Sequence, residues 1–358
     1  MRPVLHYTHR WLELSAGFVH DQIVNSRHHK YVLVRDRFEN RQAYPYRWVW
    51  SLASLQHRAR THFDNSAMLL AAGSATRAKL CHVHFAYAAP DVLDLVQRRG
   101  IPFVLSLHGH DASAWPQDHP EDFRRLTPAV SAVIVPSLFL AERATHLGFG
   151  PDRIRVIPAG IDTRWFSPGS PRSGTPNEVL FVGRLVAKKG VDVLLAAWAR
   201  VAEAVPGTRL RVIGDGPMRP LVTSANIPGL VYEPPDPARR RAQVRDAMRA
   251  AAVVVTPSRT AADGDVESLL LVNLEAQACG APVVTTDHGG IPEFVRAGRT
   301  ALVVAEGEPG ALAEALTTVL GDHALAVRMG REGVGWAQQF DVRRCAAKVD
   351  DLYDELLN

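Results

Sequence analysis

The stretch VLFVGRLVAKKGVDVLL (residues 179–195) reads as one β-α unit. An apolar, β-branched run ends at Gly183, a basic turn carries Arg184, Lys188 and Lys189, and after Gly190 the pattern becomes helical. The same scheme recurs on both sides. VLHYT (4–8), YVLVR (31–35), HVHFAY (82–87), FVLSLHG (103–109) and AVIVPS (132–137) read as strands in the first half, with amphipathic stretches such as 90–100 and 138–147 between them. LRVIGDG (210–216), VVVTPS (253–258), PVVTT (282–286) and ALVV (301–304) continue the series in the second half. Short strands alternating with helices imply parallel, doubly wound sheets, because a parallel connection needs a crossover. Two such series predict two Rossmann-like domains facing a central cleft, at 1–166 and 179–340. The Ser/Pro/Gly-rich SPGSPRSGTPNE (167–178) is the predicted linker, and the terminal pattern at about 341–358 is expected to pack back on the first domain.

Length and composition agree with this division. At 358 residues the chain exceeds one ordinary core, and 47% hydrophobic with 22% charged residues is a globular balance. No run approaches the ~20 apolar residues needed to span a bilayer. The start MRPVLHYTHRWLEL lacks the apolar core of a signal peptide, so the expectation is a cytoplasmic protein. Cys81, Cys279 and Cys345 are far apart and are expected as buried, reduced thiols. The charge of +4 is uneven: residues 1–168 hold 20 Lys and Arg against 14 Asp and Glu, and the remainder holds 21 against 23. Thirteen of 15 histidines lie in the first half. A basic first half suits an anionic acceptor or peripheral contact with the inner face of a membrane, and so small an excess equally fits a generically basic solvated surface; nothing has the clustered signature of a nucleic-acid binder.

Two glutamates stand out in DGDVESLLLVNLEAQACGAPVV (263–284). Asp263 and Asp265 are candidate N-caps, and Gly280 with Pro282 is a stop signal, so a helix of about 14 residues is predicted from near Val266. Glu267 would then lie in its first turn and Glu275 two turns on, about 80° apart around the axis at ~100° per residue. The helix start follows a strand, where open α/β sheets bind ligands, and its free N–H groups favour a phosphate. A carboxylate two turns in suits paired hydroxyls such as a ribose diol. Arg184 and Lys189, at the end of another strand, suit a diphosphate.

These motifs together, GRLVAKKG, GDGP (214–217), ESLLLVNLE (267–275), AQACGAPVVTTDHGGIPE (276–293) and VIPAGID (156–162), resemble the retaining glycosyltransferases of family 4, which have the GT-B fold. HVHFAYAAPDVLDLVQRRGIPFVLSLHGHDAS and GFVHDQI (17–23) resemble the first domain of bacterial exopolysaccharide enzymes of the colanic acid and amylovoran type. The resemblance implies transfer of a sugar from a nucleoside diphosphate sugar to a hydroxyl of a glycan, glycolipid or lipid-linked oligosaccharide, with retention and without a metal or other cofactor. It implies catalytic roles for His108, Arg184, Lys189 and Glu267. Donor contacts would come from Gly17, Gly183, Arg184, Lys189, Glu267, Leu270, Leu271, Val272 and Glu275: Arg184 and Lys189 on the diphosphate, Glu275 on the ribose, Glu267 and His108 on the sugar, and the N–H groups near Leu271 and Val272 on phosphate. His110 and Asp111 orient His108 or touch the acceptor, or serve only the turn. His288 would line the cleft floor. His82 and His84 are expected to pack rather than catalyse, and a metal held by His82, His84, His108 and His110 is not expected.

This chain departs from the family at Leu270, where Gly or Pro is usual, and at Ala16-Gly17, where a Gly-Gly pair is usual. Other reactions considered on the same residues are natural-product glycosylation, sugar-nucleotide epimerisation and nucleotide binding without turnover. A nicotinamide-dependent oxidoreductase is disfavoured, since no strand is followed by G-x-G-x-x-G.

Overall fold

The computed structural model describes residues 2–11, 17–36, 38, 42–59, 65–169 and 177–358. Ala16 and linker residues 170–176 lie outside them. Contacts divide the chain into two units, Met1–Gly160 with Val342–Asn358, and Ile161–Asp341.

The first unit is built on seven strands: β1 (Pro3–Thr8), β2 (His29–Val34), β3 (Val49–Ser51), β4 (Leu80–His84), β5 (Phe103–Ser106), β6 (Ala132–Val135) and β7 (Ile154–Val156). All pair in parallel in the order β3-β2-β1-β4-β5-β6-β7. Side chains alternate between two buried faces. Leu5, Tyr7, Cys81, Val83 and Leu105 join one core, while Val4, Leu80 and Val104 meet Val349, Leu352 and Tyr353 of the helix Val342–Leu357 in the other.

The second unit carries β8 (Glu178–Val182), β9 (Arg209–Ile213), β10 (Leu230–Glu233), β11 (Val253–Thr256), β12 (Val283–Asp287) and β13 (Ala301–Ala305). Its parallel sheet runs β10-β9-β8-β11-β12-β13. Val179, Phe181, Val253 and Val255 face one core, and Leu180, Val182 and Val254 the other. Burial on both faces explains why these strands read as continuous apolar runs. The family's fold class, with two Rossmann-like parallel sheets, is therefore present. The strand order reverses between β8 and β11, and the crevice beyond their carboxyl ends is where such sheets take ligands.

Three strands went unread in the sequence. β3 and β7 have three residues each, and β10 is only partly buried. All three are edge or near-edge strands with little apolar face to signal them. Among the described residues no helix is long and apolar enough to cross a membrane.

Candidate active site

At the switch point of the second unit, two loops meet. The loop after β8 carries Gly183 to Gly190, and that after β11 carries Pro257 to Leu270. Gly190 joins them: it has φ +65°, and a Cβ there would stand 1.8 Å from the Pro257 carbonyl oxygen. Only glycine satisfies both demands. A third loop closes in from β9, where a Cβ on Gly214 would lie 2.1 Å from the Gly183 oxygen, and Leu185 donates its N–H to the Asp215 carbonyl at 2.8 Å.

The two main loops are cross-linked by parallel ion pairs. Lys189 Nζ lies 2.7 Å from Glu267 Oε1, and Lys188 Nζ lies 2.9 Å from Asp265 Oδ2. All four groups are at most 15% exposed. Burial lowers the Lys189 pKa, opposed by Glu267 and assisted by Lys188 and Arg184. Burial would raise the Glu267 carboxyl, but Lys189 and Lys188 outweigh it and hold it below the usual glutamate range. Glu267 is therefore a buried carboxylate kept ionised by two ammonium groups. Arg184, by contrast, is exposed and has no ion-pair partner among the described residues.

The predicted helix from Val266 is corrected. The helix is Leu271–Ala278, and Glu267 lies in the loop before it, so the 80° relation between the two glutamates does not apply. Asp263 is no helix cap either: its Oδ1 accepts from the Asp265 N–H at 3.0 Å, closing a turn. The helix is delayed because residues 266–270 are held elsewhere. Leu270 is extended (φ −104°, ψ 90°) and buried, and the Glu267 backbone is bonded to the turn after β12. Helix geometry starts where Asn273 can engage the sheet. Thr256 Oγ1 lies 2.7 Å from Asn273 Oδ1 and 2.9 Å from Thr285 Oγ1, and Asn273 Nδ2 donates to Thr285 Oγ1 at 3.2 Å. This buried network pins the first helical turn over β11 and β12, presenting the N–H groups of Leu271 and Val272 at the switch point. Glu275, half-buried, follows one turn later. Gly280 (φ +78°) ends the segment as anticipated.

His288 is 4% exposed and sits beneath the loop rather than lining an open floor. The sequence also gave no sign of Asn273, or of the Lys188–Asp265 pair as a second cross-link. The available signals were the threonines that close β11 and β12, buried polar groups in need of partners.

In the first unit, β5 ends at Ser106 and His108 follows two residues on. Its ring lies against Phe18 and Phe85 at centroid distances of 4.9 and 4.6 Å. Burial pushes its pKa down to about 3, so it is neutral. Asp111, 1% exposed, accepts the N–H groups of His108, Gly109 and Ala86 at 2.8, 3.1 and 3.0 Å. It therefore shapes the turn that presents His108, while His110 is exposed. Gly17 opens the helix Gly17–Asn25, and a Cβ there would meet the Tyr44 Oη at 2.8 Å. His6, His82 and His84 form a buried cluster with nitrogens within 4.8 Å, of which His6 was not singled out from sequence. Its hydrogen bonds join His6 Nδ1 to His84 Nε2 at 3.0 Å and His82 to Tyr353 Oη and Ser106 Oγ at 2.5 and 2.7 Å. Burial keeps all three rings neutral.

Comparison with known proteins follows the same division. Residues 20–165 match the family described as Glycosyltransferase Family 4, and residues 176–322 match Glycosyl transferases group 1. The chain belongs to this glycosyltransferase family. The D-inositol 3-phosphate glycosyltransferase of Corynebacterium efficiens is 35% identical over 238 residues, 60% of this chain and 54% of that protein. The putative colanic acid biosynthesis glycosyltransferase WcaL of Escherichia coli is 35% identical over 181 residues, 49% of this chain and 44% of that protein. The chain thus spans about half the length of these two relatives. The structure of Anabaena Alr3699/HepE in complex with UDP matches with a TM-score of 0.80 at 18% identity, covering 99% of this chain and 100% of that one, a likeness of fold.

Proposed function

We propose that this family member is a retaining glycosyltransferase that moves a sugar from a nucleoside diphosphate sugar to a hydroxyl of a glycan, glycolipid or lipid-linked oligosaccharide in cell-envelope or exopolysaccharide synthesis. The observation that carries the reading is the grouping of Arg184, Lys189 and Glu267 beside the N-terminus of the helix Leu271–Ala278 at the sheet's switch point. As the donor bond breaks, negative charge grows on the departing diphosphate. The free guanidinium of Arg184, the Lys189 ammonium and the N–H groups of Leu271 and Val272 stabilise that charge, and a site already organised for it lowers the barrier. Cationic side chains and helix dipole fill the role a divalent metal has elsewhere, so no metal is assigned. Glu267, held ionised, accepts hydrogen bonds from sugar hydroxyls, and Glu275 accepts from the ribose diol. His108 is given a sugar hydroxyl as partner, and the neutral ring that burial supplies can accept from that hydroxyl as well as donate to it.

Retention is part of this proposal and rests on the resemblance of the motifs to retaining enzymes, with the leaving phosphate taking the acceptor proton. The named activities of the relatives, on D-inositol 3-phosphate and in colanic acid biosynthesis, support a hydroxyl acceptor, and the UDP complex of HepE supports a nucleotide donor. The test is release of nucleoside diphosphate from UDP-, GDP-, dTDP- and ADP-sugars without added metal, with NMR of the product's anomeric proton. Inverted product, or a strict need for added Mg²⁺ or Mn²⁺, overturns the mechanism, and conversion of the donor without any transfer points to an epimerase.

A further inference from the structure

The parallel register of β12 and β13 sets Asp287 beside Ala305, so the next residues, His288 and Glu306, emerge side by side. His288 Nδ1 lies 2.6 Å from Glu306 Oε2. On the other side of the ring, Nε2 receives the backbone N–H of Glu267 at 3.1 Å. Glu306 reaches the far end of the same loop, accepting the Thr260 N–H at 2.7 Å and its hydroxyl at 3.1 Å. The Glu267 carbonyl in turn accepts the Gly290 N–H at 3.0 Å, and a Cβ on Gly289 would lie 2.0 Å from that carbonyl oxygen. The loop bearing Glu267 is thus tied at both ends to one imidazole–carboxylate pair.

These bonds determine the tautomer. Because Nε2 accepts, the ring proton must sit on Nδ1, where it is donated to Glu306. Only the neutral ring can do this, since a second proton on Nε2 would oppose the Glu267 N–H.

We propose that His288 and Glu306 form a positioning relay that holds Glu267 in register with Lys189 while the ring is neutral, and that protonation of His288 releases it. The proposal rests on the reading of Glu267 as a donor-sugar partner. The charged groups facing the ring are Glu306 and Glu267, which favour its protonation, and Lys188, which opposes it; burial opposes it most, so the neutral ring prevails at neutral pH.

The test uses the full chain with His288→Gln, whose amide oxygen can accept the Glu267 N–H at any pH, and His288→Leu, which cannot. UDP-glucose and GDP-mannose are the donor probes. For the leucine variant, folded by circular dichroism, kcat/KM is expected to fall roughly 10- to 100-fold, the scale of a displaced catalytic group. The glutamine variant should stay within a few-fold of wild type at pH 8 and lose the acid limb of the pH profile. Leucine-variant activity equal to wild type, or an unchanged acid limb in the glutamine variant, overturns the relay. A second readout is independent of turnover: ¹⁵N NMR should show His288 as the Nδ1–H tautomer, with the Glu267 amide shift following the ring's titration. An Nε2–H ring, or a Glu267 amide indifferent to it, refutes the proposal. If neither donor is turned over, the assigned function is in question while this spectrum still decides the relay.

Discussion

Lys189 Nζ and Glu267 Oε1 lie 2.7 Å apart in a pair that neither residue's neighbours in sequence would suggest. One belongs to the loop after β8 and the other to the loop after β11, and only the strand order brings them together. The pair is nearly dry, and each member favours the ionised form of the other.

Lys189→Ala is expected to reduce kcat by at least about 100-fold, as removal of one oriented charge donor does elsewhere. It also leaves Glu267 buried without its partner, which costs roughly 3 kcal/mol when half of a buried pair is removed. The double variant Lys189→Ala with Glu267→Gln should recover most of that stability and none of the turnover. Urea unfolding and donor turnover measured together check this; near-normal turnover in a folded single variant removes Lys189 from the mechanism.

The same pair gives a pH prediction. The folded Glu267 carboxyl titrates below an unfolded glutamate, for which ~4.3 is usual. Its contribution to stability is therefore complete above that value and is lost as pH falls through the folded one. Unfolding free energy followed from pH 6 to pH 3 should drop less steeply in Glu267→Gln than in wild type. Equal slopes would mean that the carboxyl is not held ionised.

Much of this was legible in the residues. The βα alternation, Gly190, Gly280 and the basic turn each carry a local physical signal, and the sheets, the loop and the helix end lie where those signals put them. The start of the helix at Leu271 was not legible, because it depends on partners distant in sequence. Asp263 and Asp265 have the residue types of an N-cap, yet one closes a turn and the other pairs with Lys188. Tertiary bonds from His288, Gly290 and Thr285 override the local preference. The edge strands escaped for a related reason, since their pairing is visible only once the neighbouring strand is in place.

Glu275, half-buried in the second turn of the helix Leu271–Ala278, is the residue proposed for the ribose diol. A nucleotide at 100 times its dissociation constant should add about 2.7 kcal/mol of stability. A thermal-shift panel of UDP, GDP, dTDP and ADP without metal is expected to show one such ligand for wild type and little or no shift for Glu275→Ala. An equal shift in the variant would exclude the ribose assignment.

The Asn273 network tests whether the helix N-terminus acts through its placement. Asn273 is fully buried and satisfies the hydroxyls of Thr256 and Thr285. Asn273→Leu keeps the branched shape and does not weaken the helix preference, but it removes one partner from each buried hydroxyl, at a cost of about 1–3 kcal/mol. If the first turn is held over the switch point by these bonds, the variant should also bind the stabilising nucleotide several-fold more weakly, although Asn273 is too buried to touch it. Weaker folding with unchanged nucleotide affinity would show that the network supports the core alone and that the N–H groups of Leu271 and Val272 do not depend on it.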